Sequence, residues 1–234
     1  MPFSSSAHVY DLIYQQTRDY AAQAKQVRDW IKSHNADAHT LLDVACGTGL
    51  HISQLNEWFE VSGVDVSPEM VRIAQSRNPL STIEVGDMQN FELHRQFDSV
   101  ICMFSSITYS GSIEGLHQTL DTFARHLTPG GIVIVEPYIA VSMWKDSPLG
   151  VLRVAETDEL KVAFIDRAIR DGRRVRREIY YVVGSTNGLE HISEEHHFYL
   201  FTREEYEDAF RNAGLHVEFI EDGFEDGRGM YIGY

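Results

Sequence analysis

The segment LLDVACGTGL, Leu41–Leu50, constrains this chain more than any other. A short apolar run that ends in an acid and two glycines is a buried strand stopped by a sharp turn. Before it, YAAQAKQVRDWIKSH (Tyr20–His34) carries apolar residues at helical spacing. After it the two periods keep alternating. SGVDV (Ser62–Val66) is a strand, SPEMVRIAQSR opens with a serine cap and an N1 proline and is a helix, and TIEVGDM is a third strand. FDSVICMF is a fourth, fully apolar strand, followed by a helix from about Ser112 to Leu127, and TPGGIVIVEPY turns into a fifth. Strands joined by helices predict a parallel sheet in an α/β fold, with ligands at the carboxyl ends of the strands.

From Asp158 to Phe201 the period changes. LKVAFIDRAIR, an Asp171-Gly172 turn, RRVRREIYYVV and GLEHISEEHHFYLF are three β segments with no helix between them, which predicts an antiparallel insert beside the main sheet. TREEYEDAFRNAG then has a threonine cap, an acid three residues on and a closing glycine, so it is a helix. LHVEFIED and GRGMYIGY finish the chain as strands. The expected division is an α/β core over 1–157, an inserted β lobe over 158–201 and the rest of the core over 202–234.

At 234 residues and 43% hydrophobic content, the chain can bury one sizeable core and an inserted lobe. Its 35 acids against 20 bases give a formal charge of −15, which repels phosphate backbones, so neither nucleic acid nor an anionic membrane is an expected partner. The opening MPFSSSAHVYDL has no charged segment leading into an apolar one, and no apolar run is long enough to span a bilayer; a cytoplasmic location is expected. The two cysteines, Cys46 and Cys102, fall at strand ends without metal-ligand spacing around them. They read as reduced small hydrophobes, and no metal site is expected.

The turn DVACGTG is not a dinucleotide fingerprint. Gly47 and Gly49 are present, but Ile52 stands where the third glycine of G-x-G-x-x-G belongs. Asp43, just before the turn, would repel a pyrophosphate and attract an amino or sulfonium cation. An NAD-dependent oxidoreductase is thereby disfavoured. Asp65, about twenty residues on, closes the next strand where an acid can accept both hydroxyls of a ribose. Asp87, in VGDM, stands where an adenine amino group can donate to it, with Val66 and Met88 as apolar faces for the ring. Any one of these acids is equally a helix cap; three successive strand ends each bearing one make a cleft for a cationic nucleoside.

DVACGTG, VDVS and GDM, together with PGGIVIVEP and the two terminal strands as a reversed hairpin, resemble the class I S-adenosylmethionine-dependent methyltransferases. Ala45 departs from that pattern, since the family usually carries glycine there. VYDLIY with RDYAAQA, MFSSITY after the fourth strand, EPY after the fifth and GRGMYIG at the tail are similar to the bacterial N,N-dimethyltransferases acting on the 3-amino group of TDP-linked deoxysugars, the desosamine and mycaminose type. The resemblance implies a Rossmann-like sheet with a C-terminal antiparallel hairpin, S-adenosylmethionine as cofactor and methylation of an amine. It adds Ala45, Cys46, Gly47, Gly49, Met70, Gly86 and Met103 to the acids as cofactor residues.

Tyr14 matches the family position that approaches both cofactor and reacting amine, and Arg18, four residues on, is a candidate for the cofactor's carboxylate. His196 resembles a family histidine near the substrate; strand alternation allows only one of His196 and His197 to face the site. Ser105, Ser106 and Tyr109 after the fourth strand, Glu136 and Tyr138 after the fifth, and Arg228 between glycines are candidate substrate contacts. The basic hairpin holds Arg167, Arg170, Arg173, Arg174, Arg176 and Arg177; it is a solvated turn or a pyrophosphate contact, with Arg177 on the face opposite Arg174 and Arg176. Methyl transfer to another small amine, hydroxyl or carboxylate, or cofactor binding without catalysis, are the competing functions. A small-molecule substrate is the expected partner, with a homodimer formed through the insert as a further option.

Overall fold

The computed structural model describes residues 3–145, 147–224 and 228–234. Met1 and Pro2 of the opening segment and Gly227 of GRGMYIGY lie outside the described residues. Two helices come first, α1 (Ala7–Tyr14) and α2 (Tyr20–His34). The α/β alternation follows as β1 (Thr40–Val44), α3 (Leu50–Leu55), β2 (Glu60–Asp65), α4 (Pro68–Arg77), β3 (Ile83–Val85), β4 (Phe97–Cys102), α5 (Ile113–Arg125) and β5 (Leu127–Val135). Four strands then run without helices: β6 (Ser147–Glu156), β7 (Leu160–Asp171), β8 (Arg174–Ser185) and β9 (Gly188–Tyr199). The chain closes with α6 (Arg203–Asn212), β10 (Val217–Ile220) and β11 (Met230–Gly233).

Among the described residues these strands form a seven-stranded sheet in the order β10-β11-β5-β4-β1-β2-β3 and a four-stranded sheet in the order β6-β7-β8-β9. The first is parallel from β3 to β5, and β11 is antiparallel to both of its neighbours. The strand order reverses between β1 and β4, and a crevice opens at the carboxyl ends of such a pair. The helices cover both faces. Leu41, Ile101 and Ile134 pack beneath α2 and α3 on one side; Leu42, Val100 and Val133 pack beneath α5 and α6 on the other.

Helix boundaries follow the capping chemistry. Ser67 accepts from the Met70 amide ahead of Pro68, and Ser112 accepts from the Gly115 amide. Thr202 and Glu205 form a reciprocal capping box on α6.

The antiparallel sheet begins earlier than Asp158. β6 pairs with β7 from Leu152↔Ile165 to Glu156↔Lys161. Its alternation is inverted: Leu152 and Val154 are exposed, while Arg153 lies on the face turned to the core, opposite Phe164. A strand with its charge inward and its aliphatic side chains outward does not register as a half-buried strand. The inward face of the sheet, with Val162, Phe164, Ile179 and Tyr181, packs on Val9, Ile13 and Tyr14 of α1. No helix among the described residues is long and apolar enough to cross a membrane.

Candidate active site

The glycine turn after β1 is built on left-handed backbone. Ala45, Gly47 and Gly49 have φ of 60°, 56° and 76°. Alanine at the first of these costs about 1 kcal/mol that glycine avoids, which is the local consequence of the departure noted at Ala45. Gly49 serves packing: a Cβ there would lie 2.6 Å from the Asn78 side chain and 3.0 Å from Ala74 Cβ, both at the end of α4.

Asp65 fixes the turn from below, its Oδ2 accepting from the Gly47 amide and its Oδ1 from the Ser67 amide, each at 2.8 Å. Burial raises the Asp65 carboxyl, and the two amide bonds work against that rise. Asp43 lies beside it, 1% exposed, and its Oδ2 has no hydrogen-bond partner among the described residues. Burial first and the Asp65 charge second push Asp43 well above the ordinary carboxylate range. A buried acceptor without a donor, next to a second acid, fits a ligand carrying hydroxyl donors and positive charge.

A cavity of about 560 Å³ runs from this turn to the second sheet, within the range of small-molecule sites. Tyr14, Arg18, Ala45, Gly47, Asp65 and Val66 line it, as do Met70 and Met88. So do Ser105, Ser106, Tyr109, Tyr138 and Arg228. A smaller cavity of about 320 Å³ shares Ala45, Val66, Met88 and Tyr109 with it and is bounded by Gly86, Asp87 and His196. Asp43, Cys46, Gly49, Met103 and Glu136 stand behind these walls. Cys46 and Met103 belong to the packed core, where burial pushes the Cys46 thiol upward and keeps it unreactive.

Glu136 is the hub of that second layer. At 1% exposure, its Oε1 accepts from Arg18 Nη1 at 2.9 Å, its Oε2 accepts from the Phe104 amide at 2.7 Å, and Arg228 Nη1 lies 3.8 Å away. The Arg18 guanidinium also sits 4.2 Å over the Phe104 ring. Phe104 and Ser105 both occupy left-handed backbone, φ 58° and 59°. Consecutive non-glycine residues there hold strain of about 1–3 kcal/mol each, and Glu136 anchors the corner.

Over the cavity, α1 acts as a cover. Thr48 Oγ1 donates to Asp11 Oδ1 at 2.6 Å and Arg77 pairs with Asp11 Oδ2, tying α1 to the glycine turn and α4. Tyr10 and Tyr14 stack with centroids 4.4 Å apart. The Tyr14 hydroxyl is buried, faces the Arg177 guanidinium and makes no hydrogen bond of full geometry among the described residues. Burial raises it, so it remains a neutral phenol.

From the second sheet, Asp166 and Arg177 pair on the inward face and line the cavity, with Arg153 beside them. Arg177 does face away from Arg174 and Arg176, whose neighbourhood is solvent and the surface acids Glu178 and Glu195. His196 is 1% exposed, whereas the His197 side chain is 69% exposed. Sequence reasoning passed over Phe3, Phe104, Arg153 and Asp166. For Asp166 a signal existed, since it shares strand parity with the buried Val162 and Phe164. Among the described residues no cluster of His, Cys, Asp and Glu has the arrangement of a metal site.

Comparison with known proteins adds four likenesses. A family model described as a methyltransferase domain matches residues 41–131. The chain is 39% identical, over 97% of its length and 96% of the relative's, to the dTDP-3-amino-3,4,6-trideoxy-alpha-D-glucopyranose N,N-dimethyltransferase of Streptomyces venezuelae. Its structure is similar to the crystal structure of Streptomyces venezuelae DesVI, with TM-score 0.91 and 39% identity over 97% of both chains. It is also similar to SAM-bound CalS10, an amino pentose methyltransferase from Micromonospora echinaspora, with TM-score 0.84 and 30% identity over 100% of this chain and 97% of that one.

Proposed function

Because this chain belongs to the S-adenosylmethionine-dependent N,N-dimethyltransferases of dTDP-linked amino sugars, we propose that it methylates the amino group of a nucleotide-linked amino deoxysugar. S-Adenosylmethionine is its cofactor and, when bound, supplies a methyl group already activated on a sulfonium. No electrophile has to be made by the protein. The chain's own work includes binding, orienting and excluding water.

The observation that carries this reading is the continuity of one cavity between two kinds of wall. At one end are the glycine turn and Asp65, with the buried Asp43 behind them, suited to an adenosyl cation; at the other are Arg177, Asp166, Tyr138 and Arg228, suited to a polar, anionic substrate. In the proposed arrangement Asp65 accepts the ribose hydroxyls, and Asp87 in the smaller cavity accepts the adenine amino group. Val66 and Met88 flank the ring. Arg18, held by Glu136 and Phe104, receives the cofactor's carboxylate. Tyr14 stands between the two ends, and its hydroxyl orients the acceptor nitrogen. Ser105, Ser106 and Tyr109 bound the same space. The Asp11 ties to Thr48 and Arg77 close α1 over the cavity and keep water out.

The test is incubation with S-adenosylmethionine and dTDP-3-amino-3,6-dideoxyglucose, followed by mass spectrometry. Successive addition of one and then two methyl groups is expected. Turnover confined to free amines or hydroxyl acceptors would overturn the substrate assignment.

We further propose a homodimer formed through the outer face of the second sheet, in a cytoplasmic enzyme. Leu152, Val154, Ile165, Tyr180 and Val182 are all more than two-fifths exposed. The register places Leu152 opposite Ile165 and Ile165 opposite Tyr180, so the patch is contiguous across three strands. Patches of that kind mark interfaces. Val182→Asp is expected to convert a dimer to a monomer in light scattering with the far-ultraviolet circular dichroism unchanged; a monomeric parent protein would refute the interface.

A further inference from the structure

We propose that Tyr109, His196 and Glu194 form a proton path that takes the proton from the substrate's ammonium group before methyl transfer, with Tyr109 as the catalytic residue and the other two acting through it. The inference rests on an amine being the acceptor. Such an amine is largely protonated near neutral pH and has no lone pair to offer until it loses a proton.

The three side chains are in line. Tyr109 Oη and His196 Nδ1 are 2.8 Å apart, and His196 Nε2 and Glu194 Oε2 are 3.3 Å apart. Tyr109 lines both cavities, which puts its ring at the wall they share. Glu194 is fixed from the other side, accepting from the Ser5 and Ser6 amides at 2.9 and 3.1 Å and from the Ser6 hydroxyl at 2.9 Å. Phe3 packs edge-on to the His196 ring at 4.3 Å and to Tyr14 at 5.9 Å, shielding the path and linking it to the acceptor-orienting tyrosine. The segment before α1 therefore completes the path as it covers the cavity.

With Glu194 ionised, His196 donates from Nε2 and accepts at Nδ1, so the Tyr109 hydroxyl donates to His196 and keeps its lone pairs for the ammonium. Burial raises Glu194, but its bonds to His196 and Ser6 outweigh this and leave it below the usual carboxylate range. Transfer is then balanced. The ammonium N–H bond breaks as a new O–H bond forms on Tyr109, while the original phenol proton moves to His196 Nδ1. The amine regains its lone pair, and the resulting imidazolium is paired with the Glu194 carboxylate, the logic of a hydroxyl-His-carboxylate triad. After product leaves, the proton returns to water through the smaller cavity, which His196 and the exposed His197 both line.

The charged and titratable groups facing His196 are Glu194 on its own strand, Arg177 opposite it on β8 with Asp166 paired to that arginine, Tyr109 from the turn after β4, and Asp87 across the smaller cavity. The Asp166 carboxylate offsets the Arg177 charge, so the imidazolium is not left to face an isolated cation.

The experiment compares kcat/KM against pH for the parent enzyme, Tyr109→Phe and Glu194→Gln with a dTDP-amino sugar. Without the path the enzyme must wait for an already neutral amine, whose fraction rises tenfold per pH unit below the amine's own pKa. Tyr109→Phe should therefore lose about tenfold to a hundredfold near neutrality and regain the parent rate at high pH, with Glu194→Gln shifted in the same direction. Binding of S-adenosylhomocysteine, measured by calorimetry, verifies that the variants are folded. A loss equal at every pH, or no change, overturns the proton path. Absence of turnover in the parent enzyme overturns instead the amino-sugar reading on which it rests.

Discussion

Asp65→Ala is expected to weaken binding of S-adenosylhomocysteine at least a hundredfold in isothermal titration calorimetry. Two effects combine. Hydrogen bonds to a charged acceptor are worth about 1.5–3 kcal/mol each, so losing the acceptor for two ribose hydroxyls already accounts for a factor of that size. The carboxylate also holds the Gly47 and Ser67 amides, and without it the left-handed turn from Ala45 to Gly49 loses the group that sets its shape. Asp65→Asn keeps one acceptor oxygen and should fall between the alanine variant and the parent. Affinity within about threefold of the parent in Asp65→Ala would remove the central support for the cofactor geometry.

The acids proposed for this site were legible because the strands bearing them are legible. Parallel strands buried on both faces read as unbroken apolar runs, and their carboxyl ends are marked by what interrupts the run: Asp43 with the glycines, Asp65 before a capped helix, Asp87 after Val85. Chain order then puts them at neighbouring strand ends without any tertiary information. The second sheet was less legible for the opposite reason. Arg153, Asp166 and Arg177 sit on the inward face of β6, β7 and β8, where alternation leads one to expect aliphatic residues, and Leu152 and Val154 sit outside. Strands that line a polar cavity on one side and carry an apolar patch on the other break the rule by which half-buried strands are recognised. The cavity-wall positions of Tyr14, Arg18 and the residues after β4 followed from position, whereas the contacts orienting them did not. Arg18 and Glu136 are 118 residues apart, and no local pattern pairs them.

That pairing gives the second large effect. Glu136 stood among the candidate substrate contacts because it follows β5 at the ligand edge, yet both its oxygens are engaged within the protein, on Arg18 and on the Phe104 amide. Glu136→Ala takes the carboxylate away from an arginine whose side chain is 3% exposed. Breaking a buried pair from one side costs about 3–5 kcal/mol. For a chain of this size each kcal/mol moves Tm by about 2–4 °C, so a fall of roughly 6–20 °C is expected in a calorimetric melt. The same change releases the strained Phe104-Ser105 corner, whose Ser105 hydroxyl donates to the Pro137 carbonyl and accepts from Arg228. Both the arginine assigned to the cofactor and the arginine assigned to the substrate then lose their common anchor, so KM should rise for each. A substrate ligand alone would raise KM for the sugar nucleotide and leave Tm where it was. A hub lowers Tm and raises both, and Glu136→Gln, which keeps the shape and one acceptor but not the charge, should show the same pattern at reduced size.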